Sequence, residues 1–229
     1  MFEAEFDRFA DEYRKQHAHS IRFSGENPEF FAAYKVAIVS EEAPASGDDH
    51  RILDFGGGIG NSLGHFRQYY PDSEIVVADP SSRSLDIARG RFPAERNFCH
   101  LTGDELPFED ETFHIAFAAC VFHHIPAASH LKFLSELRRV LRPGGSLFVF
   151  EHNPYNPLTR KAVNDCEFDA GVTLITAREM RSRLRSAGFD DLKVRYRIFF
   201  PGFLRNLRPI EPWMGRVPLG GQFYAHARV

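Results

Sequence analysis

The chain has 229 residues, 43% of them apolar and 26% charged, with a formal net charge of −3 and a mean hydropathy of −0.32. That balance excludes a disordered polymer or a bundle of membrane spans: the chain is long enough to bury a full core, and no apolar run approaches the ~18 residues that a spanning helix needs. The acidic start, Met1-Phe-Glu-Ala-Glu-Phe-Asp, is unlike a secretory signal, and Cys99, Cys120 and Cys166 are widely spaced thiols without a Cys-x-x-Cys metal pair, so a cytoplasmic protein is expected.

Phe2, Phe6, Phe9 and Tyr13 recur at helical spacing and predict an amphipathic helix over about 3–15. A second helix is expected near 28–41, with Pro28 in the tolerant first turn and Phe30, Phe31, Tyr34 and Ile38 along one face. These helices make residues 1–45 an N-terminal cap, and the loop from Ala43 to Asp49 leads into one domain spanning 46–229.

Arg51-Ile-Leu-Asp-Phe-Gly-Gly-Gly-Ile-Gly60 runs an apolar strand, 51–55, through Asp54 into glycines at 56, 58 and 60. Glycines there let the backbone turn sharply and approach a ligand where a Cβ would clash. Asn61 is placed to cap a helix over 61–70, whose first amides face whatever the turn holds. A dinucleotide fingerprint, Gly-x-Gly-x-x-Gly, would put its third glycine at Asn61, so the spacing disfavours a nicotinamide-dependent oxidoreductase.

Beyond the turn, strands and helices alternate as a parallel sheet requires. Strands are expected at 74–79, near 97–101, at 113–120 and at 146–151. Between them come helices over 82–91 and 128–141, the latter burying Leu131, Leu134, Leu137 and Leu141 and stopped by Arg142-Pro-Gly-Gly. Thr176-x-x-Glu179 is a capping box opening a helix that runs to Ala187 and ends at Gly188. Leu192, Val194, Tyr196 and Ile198 alternate with Lys193, Arg195 and Arg197 as a half-exposed strand, and 222–228 supplies a final one. The sum is an α/β chain with a seven-stranded sheet, mostly parallel, with helices on both faces and an antiparallel strand at the C-terminal end. Residues 178–229 hold 11 Lys and Arg against 4 Asp and Glu, a surplus of +7 that leaves −10 for residues 1–177. Such a face attracts anions or anionic lipid headgroups, or is merely solvated.

Asp54-x-Gly56-x-Gly58-x-Gly60 resembles the first motif of the class I S-adenosylmethionine-dependent methyltransferases, which implies a Rossmann-like doubly wound sheet. Leu101-Thr-Gly-Asp-Glu-Leu-Pro-Phe-Glu-Asp-Glu-Thr-Phe113 resembles that family's loop after strand three, and Ala119-Cys-Val-Phe-His-His-Ile125 its motif after strand four. The resemblance covers 51–151, and the opening Phe6-Asp-x-Phe-Ala-x-x-Tyr13 is similar to that of ubiquinone-biosynthesis-type members. It implies S-adenosylmethionine as methyl donor and S-adenosylhomocysteine as product. Gly56, Gly57 and Gly58 would cradle the donor beside Asp54 and Asn61. Asp79, at the end of the second strand, would accept both ribose hydroxyls, with Pro80 beside it.

The adenine would be addressed by Thr102 with Gly103, or by Gly103 with Asp104. Ala119 and Cys120 would lie near the sulfonium, with His124 close by. Tyr13 either covers the cofactor or completes an apolar helix face. The pair His123-His124 suggests a metal, but consecutive side chains rarely converge on one ion and no carboxylate is spaced to join them, so packing is expected and no metal.

A sulfonium methyl needs alignment and exclusion of water, and an oxygen acceptor also needs a base. His152, in Glu151-His-Asn-Pro-Tyr-Asn-Pro157 after strand five, is placed for that role, unless the segment is only a turn. The mix of apolar residues and arginines from Phe199 to Met214 reads as a substrate lid, a membrane-touching patch or a packed loop. A methyltransferase acting at oxygen on a small or lipid-linked acceptor is therefore expected. A non-catalytic cofactor-binding regulatory module is the rival without turnover. Nucleic acid is not expected as a partner, because no Asn-Pro-Pro-Tyr type of motif is present.

Overall fold

In the computed structural model, residues 25–45, 47, 49–166, 169 and 171–229 are described, and the helix expected over 3–15 lies outside them. Helix α1, Pro28–Glu42, opens on Asn27, whose side chain accepts the Phe30 amide at 2.9 Å, with Pro28 in the first turn. Next come β1 (Arg51–Phe55), α2 (Leu63–Tyr69), β2 (Glu74–Asp79), α3 (Ser82–Arg91), β3 (Phe98–His100) and β4 (Phe113–Ala119). The chain continues through α4 (His130–Val140), β5 (Leu141–His152), α5 (Pro157–Asn164), α6 (Ala177–Ser186), β6 (Asp190–Arg197), α7 (Glu211–Met214) and β7 (Gln222–Arg228).

Among the described residues these strands form one seven-stranded sheet in the order β3-β2-β1-β4-β5-β7-β6. All neighbours from β3 to β5 pair in parallel, while β7 runs antiparallel to both β5 and β6. The central strands are buried on both faces, as βαβ crossovers require. Alternation then splits the core. Leu53, Phe55, Ala116 and Val149 pack with Leu134 and Leu137 of α4 and with Met180 and Leu184 of α6. On the opposite face, Ile52, Ile115, Phe117 and Phe148 meet Val36 and Val39 of α1, Leu63 and Phe66 of α2 and Leu85 of α3.

Several boundaries differ from the sequence reading for local reasons. Asn61 does not cap α2: the helix begins two residues later, Ser62 provides no side-chain cap, and Asn61 Oδ1 instead accepts Arg91 Nη1 at 3.0 Å. Leu131 is 47% exposed, because α4 turns His130, Phe133, Leu134, Leu137 and Val140 inward. Strand β5 starts at Leu141, earlier than expected, passing through the Pro-Gly-Gly segment with a register shift against β4. Helix α5 was not foreseen: Asn156-Pro157 reads as turn material, yet Asn156 caps the helix by accepting the Thr159 amide at 3.0 Å, and Pro157 takes the first turn. The Thr176–Glu179 capping box forms as expected.

The basic residues of β6 are only partly solvated. Lys193 Nζ and Tyr224 Oη both donate to Glu42 Oε1 at 2.5 Å, and His226 Nδ1 lies 2.8 Å from Glu42 Oε2. Burial works against the Glu42 charge, but these three donors hold its carboxyl down at about 2. The C-terminal end of α1 is thereby tied to β6 and β7. A folded-state value below the unfolded one adds stability above about pH 4.5 that is lost as pH falls toward 2. Glu42→Gln should cost about 2 kcal/mol, or roughly 4–8 °C in Tm at pH 7. Thermal melts from pH 7 to pH 2 should show the gap from the parent closing below about pH 4.5; a gap independent of pH would contradict the assignment.

Candidate active site

The carboxyl ends of β1, β2, β4 and β5 open onto one cavity, the edge where open α/β sheets hold ligands. Its first wall is the glycine turn. Gly56 and Gly57 both donate their amides to Ala78 O, at 2.7 and 3.3 Å, and Gly58 donates to Asp79 Oδ2 at 2.8 Å. Gly56 has a φ of 73°, and a Cβ there would lie 2.5 Å from Val121 Cγ2. Gly57 is excluded from larger side chains by space alone, since its Cβ would sit 2.7 Å from Val77 Cγ1 and 2.8 Å from Asp54 Oδ2.

Asp54 lies at the floor of this turn with 2% of its surface exposed, and its Oδ2 has no hydrogen-bond partner among the described residues. Burial pushes its carboxyl up to about 7; the Asp79 charge adds to the shift and Lys35 opposes it. Asp79 is held differently. Its Oδ1 accepts the Ser81 amide and its Oδ2 the Gly58 amide, both at 2.8 Å, so main-chain donors on two sides fix the carboxylate plane at the cavity wall.

Opposite the turn, the chain leaves β4 at Cys120 in the left-handed region, with a φ of 60° and the amide donated to Phe150 O at 2.8 Å. The Cys120 thiol lies 3.4 Å from Lys35 Nζ of α1 and 3.9 Å from Gln222 Nε2 at the start of β7. Gln222 Nε2 is also 3.4 Å from His152 Nδ1, and its Oε1 accepts the Tyr34 hydroxyl. Burial resists ionisation of Cys120, but Lys35 and His152 bring its thiol down to about 7. Burial likewise opposes a charged His152, while its interactions with Cys120 raise it above the ordinary histidine value.

A third cluster closes the cavity. His123 and His124 sit in the 3-10 turn Phe122–His124 that follows β4, and Asp169 Oδ1 faces both, 3.5 Å from His123 Nε2 and 3.3 Å from His124 Nε2. The other nitrogen of His123, Nδ1, lies 2.6 Å from Oε2 of Glu151, which is fully buried and whose Oε1 accepts the Phe122 amide at 2.8 Å. The expectation that no carboxylate joins the two histidines is corrected here. The tight turn brings consecutive imidazoles to one side, and Asp169 arrives from 45 residues further along, where spacing gives no sign of it.

Of the residues singled out from sequence, Asp54, Gly56, Gly57, Gly58, Asn61, Asp79, Pro80, Ala119, Cys120, His124 and His152 all line this cavity. Gly103 and Asp104 are outside its wall, where Leu101 takes their place; Asp104 pairs with Lys132 at 3.6 Å, and nothing lies within 4 Å of a Cβ built on Gly103. Tyr13 is outside the described residues. The sequence reading missed Lys35, Asp169 and Gln222, and it assigned His123 to packing without giving it a place in the site. A signal existed for His123: Glu151 ends an apolar strand, and a buried carboxylate there demands a partner.

Comparison with known proteins bears on the family and the fold. A family model described as a methyltransferase domain matches residues 52–145. The ubiquinone/menaquinone biosynthesis C-methyltransferase UbiE of Dinoroseobacter shibae is 32% identical over 192 residues, covering 71% of this chain and 74% of its own. A demethylmenaquinone methyltransferase of Thermus thermophilus is 36% identical over 122 residues, and the match spans about half its length, 52%. Among solved structures, an S-adenosylmethionine-dependent methyltransferase of Thermotoga maritima superposes with a TM-score of 0.69 at 20% identity, covering 100% of this chain and 99% of the other. Phosphoethanolamine N-methyltransferase 2 of Haemonchus contortus, solved with S-adenosylhomocysteine, gives 0.68 at 18% identity, covering 100% of this chain and 60% of its own. At such identities the structures establish the fold alone.

The glycine geometry makes a ranked prediction for calorimetric binding of S-adenosylhomocysteine. Gly56→Ala should weaken it at least ~10-fold, because the turn must give way on both conformation and space, whereas Gly103→Ala should leave it unchanged. Equal losses at the two positions would contradict the assignment of the turn.

Proposed function

The chain belongs to the class I S-adenosylmethionine-dependent methyltransferases, and on that footing we propose that it methylates a ring carbon of a small hydroxylated aromatic acceptor, with His152 removing the hydroxyl proton. S-adenosylmethionine, when bound, supplies a methyl group already activated by the positive charge on sulfur. What remains for the protein is to align the acceptor, exclude water and handle one proton. The residues fit such a donor: the Gly56–Gly57 cradle would be filled by a Cβ, and Asp54 Oδ2 is a buried carboxyl oxygen without a hydrogen-bond partner among the described residues. In this reading Asp79 takes the ribose hydroxyls, Pro80 flanks the adenosine, and Ala119, Cys120 and His124 border the methionine half. Of the expected N-terminal cap, helix α1 brings Pro28, Phe31, Ala32 and Lys35 to the cavity wall.

One observation carries the assignment of the base. His152 is a half-buried imidazole at the end of β5, in the wall of the same cavity as Asp54 and Gly58 and within 3.4 Å of Gln222. Removing a proton from an aromatic hydroxyl spreads negative charge onto ring carbons, which is what attack by carbon needs; the carbon that takes the methyl then loses its own hydrogen as a proton and the oxygen regains one, so one proton is released overall. The activities named for the UbiE relatives support carbon over the oxygen expected from sequence. Oxygen attack is the second reading, favoured by the same base.

A lipid-linked acceptor is supported by the segment between β6 and β7. Phe203 and Trp213 are 80% and 83% exposed there, and Arg208 reaches Glu26 beside the entrance to α1. Among the described residues, no helix is long and apolar enough to cross a membrane.

The test uses demethylated quinols kept reduced, with methyl-labelled cofactor and magnetic resonance of the product. A carbon-bound label is expected, and His152→Gln should lower kcat by roughly 100-fold or more, with affinity for S-adenosylhomocysteine nearly unchanged. An oxygen-bound label would move the acceptor atom to the second reading, and an unchanged kcat would remove His152 as the base.

A further inference from the structure

We propose that His123, His124 and Asp169 form a binding site for a divalent transition-metal ion, opening into the methyl-transfer cavity. Each residue offers one ligand atom, and the three atoms lie within 4.8 Å of one another. The two separations from Asp169 are those of ligands rather than of good ion pairs. Charge-assisted N–H···O bonds run about 2.7–2.9 Å, yet Asp169 Oδ1 stands 3.3 Å from His124 Nε2 and 3.5 Å from His123 Nε2. Donor atoms about 2.1 Å from a tetrahedral ion are about 3.4 Å apart.

A second observation points the same way. His123 is 1% exposed in its side chain, and its Nε2 makes no hydrogen bond among the described residues. Its Nδ1 is held at 2.6 Å by Glu151, which is fixed in turn by the Phe122 amide. That is the carboxylate–histidine support that orients a metal-bound imidazole and sets which nitrogen faces the ion.

The donor set selects the metal class. Two imidazoles and one carboxylate suit Zn2+, Fe2+, Co2+ or Ni2+, whereas Mg2+ and Ca2+ prefer all-oxygen shells. Three protein ligands leave coordination positions open, and all three residues line the cavity wall with His152. The His123 and His152 rings are 5.3 Å apart between centroids. An acceptor hydroxyl oxygen bound at an open position would lose its proton more readily; this last step rests on the function proposed above, whereas metal binding itself does not.

The experiment is titration of Co2+ into metal-stripped full-length protein, followed by calorimetry and by the visible absorption of low-symmetry Co2+. Stoichiometric binding with a histidine-type spectrum is expected for the parent. Asp169→Asn and His124→Gln, each checked for a parent-like melt, should weaken binding at least ~10-fold, the least that loss of even a supporting residue typically costs a metal site. Absence of Co2+ binding by the parent would overturn the proposal and leave the cluster as a buried hydrogen-bonded network. So would binding that survives both substitutions. Methyl transfer is assayed separately on stripped and Co2+-loaded protein, so failure of the acceptor assignment leaves the Co2+ result standing, and the reverse holds as well.

Discussion

Parallel pairing of β1 with β2 is the constraint on which the site depends. It sets Phe55 level with Ala78, and the chain leaving β1 then donates two successive amides to Ala78 O and a third to the Asp79 carboxylate. Because those donors are spent on β2, the glycine turn is anchored to the sheet and does not float above it. Asp54 is left beneath the turn, where Gly57 has no room for a Cβ and one carboxylate oxygen finds no donor. A buried carboxyl oxygen without a hydrogen-bond partner among the described residues is costly in the protein alone. In the function proposed above, a cationic cofactor received at this turn would give that cost a functional reason.

The other half of the site is assembled from segments far apart in the chain. Lys35 comes from α1, Cys120 from the end of β4, His152 from β5 and Gln222 from β7, and they meet because β7 inserts between β5 and β6. The Glu42 cluster holds α1 against that edge of the sheet, so the helix that delivers Lys35 is also one of the elements that keeps the antiparallel end in place. Structural ties and chemistry therefore share elements, and loosening the α1–β7 contact would disturb the cysteine–histidine pair as well as the core.

Much of this was legible in sequence because periodicity and turn chemistry are local. The strands β1, β2, β4 and β7, the capping box at Thr176 and the approach of Asp54 to the glycine turn all follow from a few adjacent residues. Misreadings arose where a side chain had two local uses. Asn61 is as good a cap as an acceptor for Arg91, and Asn156-Pro157 suits a turn as well as a helix start. Leu131 fits the periodicity of α4 but falls on its solvent side. Asp169 was invisible for a different reason: its partners are 45 residues away and no spacing rule connects them. The sheet topology that brings β4 and β5 together had to be seen before His123, Glu151 and Asp169 read as one cluster.

The central claim is that the carboxyl edge of β1 and β2 grips the ribose of the methyl donor through Asp79. The most direct measurement is a cycle of binding affinities for S-adenosylhomocysteine and its 2′,3′-dideoxy analogue, in the parent and in Asp79→Asn. If Asp79 accepts the ribose hydroxyls, deleting them should weaken binding to the parent by roughly 10-fold or more and change binding to the variant little. Equal losses in both proteins would contradict the account.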